Sequence, residues 1–307
     1  MNRGGADPDQ EDALRGILCR IGSGLCFSTM GAMLKLASTH GFNAPELVFY
    51  RSVFSLPVVL LWVLKRENLR ILRPNRAMPH VWRGAMGIVS MGLTFQALIL
   101  LPLAEATAIN FTAPIFATIL SFLVLHEEIG IRRWSAVVLG FAGVLIVVQP
   151  TGASLPLLGV AVALGAAIGQ AAVTTTLRHL QRSEHVSTIV FWFAVSGIVA
   201  GGLAMPVFGQ WHDAAGYAFV IAGGLAGGLG QLFMTASLRA PIAVIAPFDY
   251  LQIVAATAFG WLLFSAVPTV STMTGAGLIA ASGIYTAWRE HVRRRRLTQA
   301  GAAVPAV

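Results

Sequence analysis

A chain of 307 residues is long enough for one or two soluble domains, but its composition excludes them. Hydrophobic residues make up 56% of the chain, charged residues only 11%, and the mean hydropathy is +0.74. A soluble protein of this size could not cover its surface with so few charges. The net charge of +8 requires no nucleic-acid partner, because basic residues that face anionic lipid account for it.

The N-terminal sequence is polar and acidic and lacks the features of a cleavable signal peptide. We therefore expect the first hydrophobic segment to remain in the membrane. This segment carries the two cysteines of the chain, Cys19 and Cys26. Their spacing separates them by roughly 10 Å along a helix, which is too far for a disulfide bond, so they are interpreted as packing thiols.

Ten stretches of mostly apolar residues follow one another, each about 20 residues long, as a membrane-crossing helix requires. Short joints with proline, glycine or asparagine separate them. The predicted spans are 15–38, 45–64, 81–101, 104–125, 132–149, 155–178, 186–208, 215–238, 241–264 and 270–288. The sequence therefore predicts an all-α integral membrane protein with ten transmembrane helices.

Lysine and arginine are concentrated on one side of this arrangement. They occur in the joints after the even-numbered spans and at the two chain ends, whereas the joints after the odd-numbered spans have none. Of the 21 basic residues, only Lys35 and Arg51 fall away from that side, and both lie within spans. Because basic joints are retained in the cytoplasm, we predict a bacterial inner-membrane protein with both termini cytoplasmic.

The joint QPTGASLP separates two sets of five spans. Since five is odd, the second set enters the membrane in the opposite orientation, as in the inverted repeats of many secondary transporters. The predicted organisation is a cytoplasmic tail (1–14), a first repeat (15–149), a second repeat (155–288) and a basic cytoplasmic tail (289–307). The fourth and ninth spans each contain a proline with polar neighbours, which predicts a binding site near the bilayer midplane.

The stretch AEATAINFTAPIFATILSFLVLHEEIGIRRWSAVVLGFAGVLIVV resembles the EamA repeat of the drug/metabolite transporter superfamily. It shares the alanine-rich start, the mid-helix proline, the His-Glu ending and the glycine-rich next span. FYRSVF (49–54) resembles the segment around the arginine of the family's second helix, whereas the second copy has SAVP in place of the usual terminal glutamate. The resemblance implies a ten-helix inner-membrane carrier of small metabolites. The motifs AEATAI and APFDY are most similar to the riboflavin and S-adenosylmethionine transporter branches.

Arg51 lies about two turns inside the second span, where a charge is costly and is therefore a functional candidate. Snorkelling to the headgroups, pairing with Glu46 or Glu105, and contact with substrate are alternatives that the sequence leaves open. Lys35 lies nearer the end of its span, which favours snorkelling.

Asp249 lies roughly 12 Å inside the ninth span, near the predicted midplane. A carboxylate at that depth must be protonated or paired, so Asp249 is either a substrate or proton site or part of a structural pair. The aromatic candidates for stacking on a ring-bearing substrate are Phe27, Phe95, Phe111, Phe248 and Tyr250, although core or lipid packing is the more common role.

Glu105 begins the fourth span, where the helix macrodipole stabilises a carboxylate, and its depth matches that of Arg51 closely enough for a gate pair. The predicted substrate-binding residues are Arg51, Gln96, Asn110, Asp249, Tyr250 and Gln252, and the predicted gating or helix-breaking residues are Glu105, Pro114 and Pro247.

The pattern favours a secondary transporter that works by alternating access, with riboflavin or a similar cofactor-like compound as the first substrate candidate. S-adenosylmethionine, amino acids and metallophores are alternatives, for import or export. An intramembrane enzyme is a remote alternative, because no nucleophile–base pair, HExxH motif or histidine cluster is present. We predict no catalytic residue, metal or cofactor. The expected partners are a small-molecule substrate and the lipid bilayer, with no nucleic acid and with a homodimer left open.

Overall fold

The computed structural model describes residues 8–66, 68–125, 131–148, 155–180, 183–238, 240, 245, 248–282, 284–285 and 288. Over these residues the chain is helical and contains no strand. Pro247 and the predicted tail 289–307 lie outside the described residues.

The α-helices whose bounds fall within the described residues are accompanied by one short 3-10 helix. They are α1 (Pro8–Thr39), α2 (Ala44–Arg66), the 3-10 helix (Leu69–Leu72), α3 (Ala77–Leu100), α4 (Leu103–Asn110), α5 (Ala113–Leu125), α6 (Ile131–Val148), α7 (Leu157–Leu180), α8 (Val186–Phe208), α9 (Ala214–Ser237), α10 (Leu251–Phe264) and α11 (Val270–Ser282).

Six of these helices, namely α1, α2, α3, α7, α8 and α9, are long and apolar enough to cross a membrane by length and composition. The other four predicted spans correspond to shorter helices: α4 with α5, α6, α10 and α11. Large apolar side chains such as Leu203 and Val270 are 78% exposed on the outside of the bundle. Lipid solvates such side chains as well as a protein core does, and the prediction of an all-α integral membrane fold is confirmed.

The predicted fourth span is divided into two helices. α4 ends at Asn110, and α5 begins at Ala113 after a turn at Phe111 and Thr112. Pro114 has no backbone N–H to donate, so it is tolerated in the first turn of α5 but not in the middle of a continuous helix. The hydroxyl of Thr112 donates to the carbonyl of Ile109 at 2.7 Å, and the backbone N–H of Thr112 donates to the same carbonyl at 3.0 Å.

The ninth span also restarts inside the bundle, where Tyr250 is the residue before α10. The helix contacts follow the division into two halves. If each span is replaced by the span at the same place in the other half, each main pair of contacting helices becomes another pair that is also in contact. The α1–α9 contact becomes the α3–α7 contact, the α1–α10 contact becomes the contact of α7 with α4 and α5, and the α2–α8 and α4–α10 contacts map onto themselves.

α6 and α11 cross with their backbones in direct contact. A Cβ atom added at Gly275 would lie 2.6 Å from the carbonyl oxygen of Gly143, and one added at Gly143 would lie 2.8 Å from the carbonyl oxygen of Gly275. Small residues allow this close approach between membrane helices, where dispersion contacts are a main source of stability. These two spans are the fifth members of the two halves.

We therefore expect Gly275→Ala to lower stability by about 1–3 kcal/mol, because the added methyl group overpacks a backbone contact. The matched control is Gly277→Ala on the same helix, since a Cβ at Gly277 would meet nothing within 4 Å. The control should be neutral or slightly stabilising, because alanine favours the helix. Thermal unfolding of the purified variants in one detergent measures both, and equal melting temperatures would contradict the described crossing.

The two ends of the bundle differ in charge. The arginine-rich end holds the joint between α2 and α3, with Arg70, Arg73 and Arg76, and the joint between α7 and α8. The arginine-poor end holds the joints 40–43 and 209–213, which contain no lysine or arginine.

Candidate functional site

The interruptions of the fourth and ninth spans meet inside the bundle. The ring of Phe111, in the turn after α4, lies against the ring of Tyr250, just before α10, with 5.2 Å between the centroids. The side-chain oxygen of Asn110 is buried and has no hydrogen-bond partner within the described part of the chain. The break thus combines two aromatic faces with an amide acceptor that is free to receive a donor from a ligand.

Asp249 is paired with Arg20 of α1. The guanidinium of Arg20 donates through Nε to one carboxylate oxygen and through Nη2 to the other, the second contact at 2.6 Å, and its Nη1 also donates to the hydroxyl of Ser237 at 3.3 Å. The two side chains are 17% and 26% exposed. Of the two roles that the sequence left open for Asp249, the structure places it in an ion pair, next to the central aromatic contact.

Glu105 lies near the arginine-poor end, where it accepts a hydrogen bond from the hydroxyl of Thr272 at 3.0 Å. The position of Lys35 predicted that its side chain would extend toward the headgroups, but it does not. Its Nζ donates to the carbonyls of Leu98 and Leu101, each at 2.6 Å, and so caps the last turn of α3. The negative end of the α3 dipole stabilises a cation at this place, which explains why Lys35 points to these carbonyls and not to the headgroups.

Arg51 is 3% exposed and pairs with neither Glu46 nor Glu105. Its Nη2 donates a long hydrogen bond of 3.4 Å to the carbonyl of Gly227 on α9. Its guanidinium carbon lies 5.4 Å from the ring centroid of Phe193 on α8, and that of Arg83 lies 4.1 Å from the same centroid. Burial also excludes snorkelling, so two of the three roles considered for Arg51 do not apply.

The other predicted site residues are more dispersed. Gln96 is half-buried on α3, and Gln252 is half-buried on α10, where its backbone carbonyl accepts from the hydroxyl of Ser28 at 3.1 Å. Pro114 lies at the start of α5, beside the central break. The structure therefore brings Asn110, Pro114, Tyr250 and Asp249 to one place and puts Arg51 elsewhere, beside Arg83 and Phe193.

A buried carboxylate joins two loops at the arginine-poor end. Glu46 is fully buried and accepts from the backbone N–H groups of Asn43 (3.0 Å) and Gln210 (2.7 Å), and from Nε2 of His212 at 2.9 Å. The side chain of Asn43 in turn accepts from the N–H of Glu46 at 3.1 Å, which forms a reciprocal capping box at the start of α2. We call Glu46 and His212 with these loop groups the first clamp.

A second contact of the same kind closes the joints at the arginine-rich end. Glu184, just before α8, accepts from the N–H groups of Asn75 (2.8 Å) and Arg76 (3.1 Å), and Nε2 of His80 lies 3.7 Å from the same oxygen. We call this group the second clamp. Glu46 begins the second span and Glu184 precedes the seventh, so the two clamps occupy corresponding places in the two halves and lie at opposite ends.

A third contact fastens the arginine-poor end. Asp213 is the N-cap of α9, and its side chain accepts from the N–H of Gly216 at 3.0 Å and lies 2.8 Å from Nδ1 of His40. The N–H of Gly216, together with His40, holds the pKa of Asp213 below its usual range. The described residues contain no group of three or more histidine, cysteine or acidic residues that could hold a metal ion.

Known proteins resemble this chain over most of its length. The family model of the EamA-like transporters matches residues 14–149. The pseudopaline exporter CntI of Pseudomonas aeruginosa is 30% identical over 271 residues, which cover 88% of this chain and 94% of that protein. The chain belongs to the EamA-like transporter family.

Other comparisons agree with this assignment to the EamA-like transporters. A riboflavin transporter of Rhizobium johnstonii is 28% identical over 305 residues, which cover 96% of this chain and 98% of that protein. A solved crystal structure has the same fold, with a TM-score of 0.62, 19% identity and coverage of 92% of this chain and 98% of its own. The protein is a multi-pass membrane transporter of this family, and its relatives indicate a carrier rather than an enzyme.

Two residues of this EamA-like transporter were not recognised as site candidates from the sequence. Arg83 is only two residues inside the predicted third span (81–101), whereas α3 begins at Ala77 and Arg83 is 3% exposed. Arg20 was counted among the cytoplasmic charges, although α1 extends well to either side of it. In both cases the signal was an arginine more than one turn inside an apolar segment.

Proposed function

We propose that the chain is a secondary transporter that moves a small metabolite across a bacterial inner membrane by alternating access, with both termini in the cytoplasm. The observation that carries the proposal is the contact of Phe111 with Tyr250, where two interrupted helices meet. Interrupted helices at corresponding places in two halves are the usual setting of a substrate site in such carriers.

The two halves, 15–149 and 155–288, are proposed to be inverted repeats. The exchange of helix contacts between the halves supports this, as do the two clamps at opposite ends of the bundle. An arrangement of this kind gives two conformations of similar energy, one open to each side, because each half can adopt the position of the other.

Riboflavin, or a compound with a similar flat ring system, is the first candidate substrate. The likeness to a riboflavin transporter supports it, and the rings of Phe111 and Tyr250 supply aromatic surface for stacking. A metallophore is the second candidate, which the likeness to the pseudopaline exporter favours.

Uptake of radiolabelled riboflavin into membrane vesicles tests the proposal. We expect vesicles that contain the protein to exceed empty vesicles, and we expect Phe111→Ala and Tyr250→Ala each to lower the initial rate about 10-fold, since base–aromatic or ring stacking contributes about 1–3 kcal/mol. Phe116→Ala is the matched control, because the ring of Phe116 makes an edge-to-face contact with Phe141 on α6, away from the contact of Phe111 with Tyr250.

Two results would reject riboflavin as the substrate: no uptake above empty vesicles, or equal loss in the Phe116→Ala control. The same vesicles would then be loaded with labelled amino acids or with a metallophore. A failure with all of these compounds in both directions would contradict the transport proposal itself.

A further inference from the structure

Arg51 and Arg83 form a pair of buried cations that no carboxylate of the described residues contacts. Each is 3% exposed, and Nε of Arg51 and both Nε and Nη1 of Arg83 have no hydrogen-bond partner within the described part of the chain. A guanidinium remains charged at all physiological pH values, and a buried charge without a partner is strongly destabilising. Two such groups against one ring therefore require an explanation that the helix packing does not provide.

Two carboxylates of the described bundle, Glu46 and Glu184, are engaged by other groups. Glu46 is held in the first clamp by two N–H groups and His212, and Glu184 is held in the second clamp by the N–H groups of Asn75 and Arg76. The ring of Phe193 offers each guanidinium a cation–π contact, but one neutral ring cannot balance two positive charges.

The surrounding helices leave room for the two guanidinium groups. A Cβ atom at Gly87 of α3 would collide with Nη1 of Arg83 and would lie 2.7 Å from the Phe193 ring. A Cβ atom at Gly227 of α9 would lie 3.0 Å from Nε of Arg51. Glycine at both positions avoids a side chain that would press on these guanidinium groups.

The group of Arg51, Arg83 and Phe193, called the pocket from here on, combines residues of both halves of the chain. Arg51 on α2 and Arg83 on α3 come from the first half, whereas Phe193 on α8 and Gly227 on α9 come from the second. A group bound there would contact both halves, as a compound transported by alternating access has to do.

We propose that Arg51 and Arg83 together bind an acidic group, a carboxylate or a phosphate, of the transported compound. Guanidinium groups recognise both anions through paired N–H donors, and these contacts are the strongest hydrogen bonds available to a protein. This inference rests on the proposed transport function and adds to it the substrate class. Riboflavin has no carboxylate or phosphate, so this pocket favours an acidic metabolite over riboflavin itself.

Thermal unfolding of the purified full-length protein at constant ionic strength tests the pocket directly. The probes are sodium phosphate and sodium succinate, with riboflavin as a neutral compound and sodium chloride as the ionic-strength control. We expect one of the two acidic probes to raise the Tm of the wild type by about 2–5 °C at tens of millimolar, and the response to phosphate or to succinate identifies which anion the pocket accepts.

Variants separate a ligand pocket from a structural role. Arg51→Met and Arg83→Met should each abolish the anion-dependent shift, whereas Arg70→Met, at an exposed arginine of the 3-10 helix, should retain it. The basal Tm of Arg83→Met should stay equal or rise, because an apolar side chain replaces an unpaired buried charge. If Arg83 had only a packing role, its replacement by methionine would instead lower the basal Tm.

The proposal is overturned if neither acidic probe shifts the wild type, or if the shift survives in the Arg51→Met, Arg83→Met double variant. Vesicle transport separates this failure from that of the proposed function. If both methionine variants retain riboflavin uptake and the protein shows no response to anions, the transport proposal stands and the anion-binding proposal is rejected. If both variants lose the anion-dependent Tm shift but vesicles with the wild type transport none of the candidates, anion binding stands and the transport proposal is rejected.

Discussion

Glu46→Ala is expected to lower the free energy of unfolding by about 3–5 kcal/mol, the range for removing one partner of a buried charged contact. The variant leaves the N–H groups of Asn43 and Gln210 without their acceptor, and it separates His212 from the only carboxylate that the described residues place against its Nε2. Each buried N–H that loses its partner contributes about 1–3 kcal/mol to this loss. The ring of Phe42, stacked on His212 with 3.8 Å between centroids, would lose its support as well.

The melting temperature in a mild detergent measures this effect, with Asp213→Asn as the control at the same end of the bundle. Asp213 is more exposed, and asparagine caps a helix as well as aspartate does, so the control should change stability little. Glu184→Ala should reproduce the loss at the arginine-rich end. If Glu46→Ala and Asp213→Asn have the same melting temperature, the first clamp does not hold the two loops together.

Asp249→Ala and Arg20→Ala are each expected to destabilise the protein by about 3–5 kcal/mol, because each leaves one charge of an intramembrane pair without a partner. The double variant should lose less than the sum of the two singles. A double-mutant cycle isolates the coupling, which we expect to be about 1.5–3 kcal/mol for a pair with two charge-assisted hydrogen bonds. Part of the effect is screened, since both side chains are partly exposed.

The control for this cycle is Ser237→Ala, which removes only the weaker 3.3 Å hydrogen bond from Arg20. Its expected loss is about 0.5–1.5 kcal/mol. Additive effects of the Arg20 and Asp249 substitutions would mean that the two residues act independently, and the ion pair would then have no energetic basis.

The hydrophobic pattern was sufficient to predict the helices, because a segment of about 20 apolar residues has few options other than a membrane-spanning helix. The break in the fourth span was also predictable, since Pro114 cannot donate the N–H that a continuous helix requires. The structure adds the place of the break, Phe111 and Thr112, and its contact with the ninth span.

Contacts between distant segments were not predictable in the same way. Nothing in the local sequence indicates that Lys35 reaches the carbonyls of Leu98 and Leu101, or that Asp249 meets Arg20. These partners depend on the rotation of each helix about its axis, which packing against its neighbours determines and hydropathy does not. Hydropathy also could not decide among the alternatives for Arg51, and in the structure Glu46 and Glu105 lie close to other partners.

We propose that the meeting point of the interrupted helices opens to each side of the membrane in turn. The most direct measurement is the labelling of Phe111→Cys, in a chain whose only cysteines, Cys19 and Cys26, are replaced by serine, with a membrane-impermeant maleimide applied from either side. Leu203→Cys, at a lipid-facing position that is 78% exposed, is the control and should stay unlabelled. We expect the thiol at position 111 to react from both sides; reaction from neither side, or no more than in the control, would contradict the account.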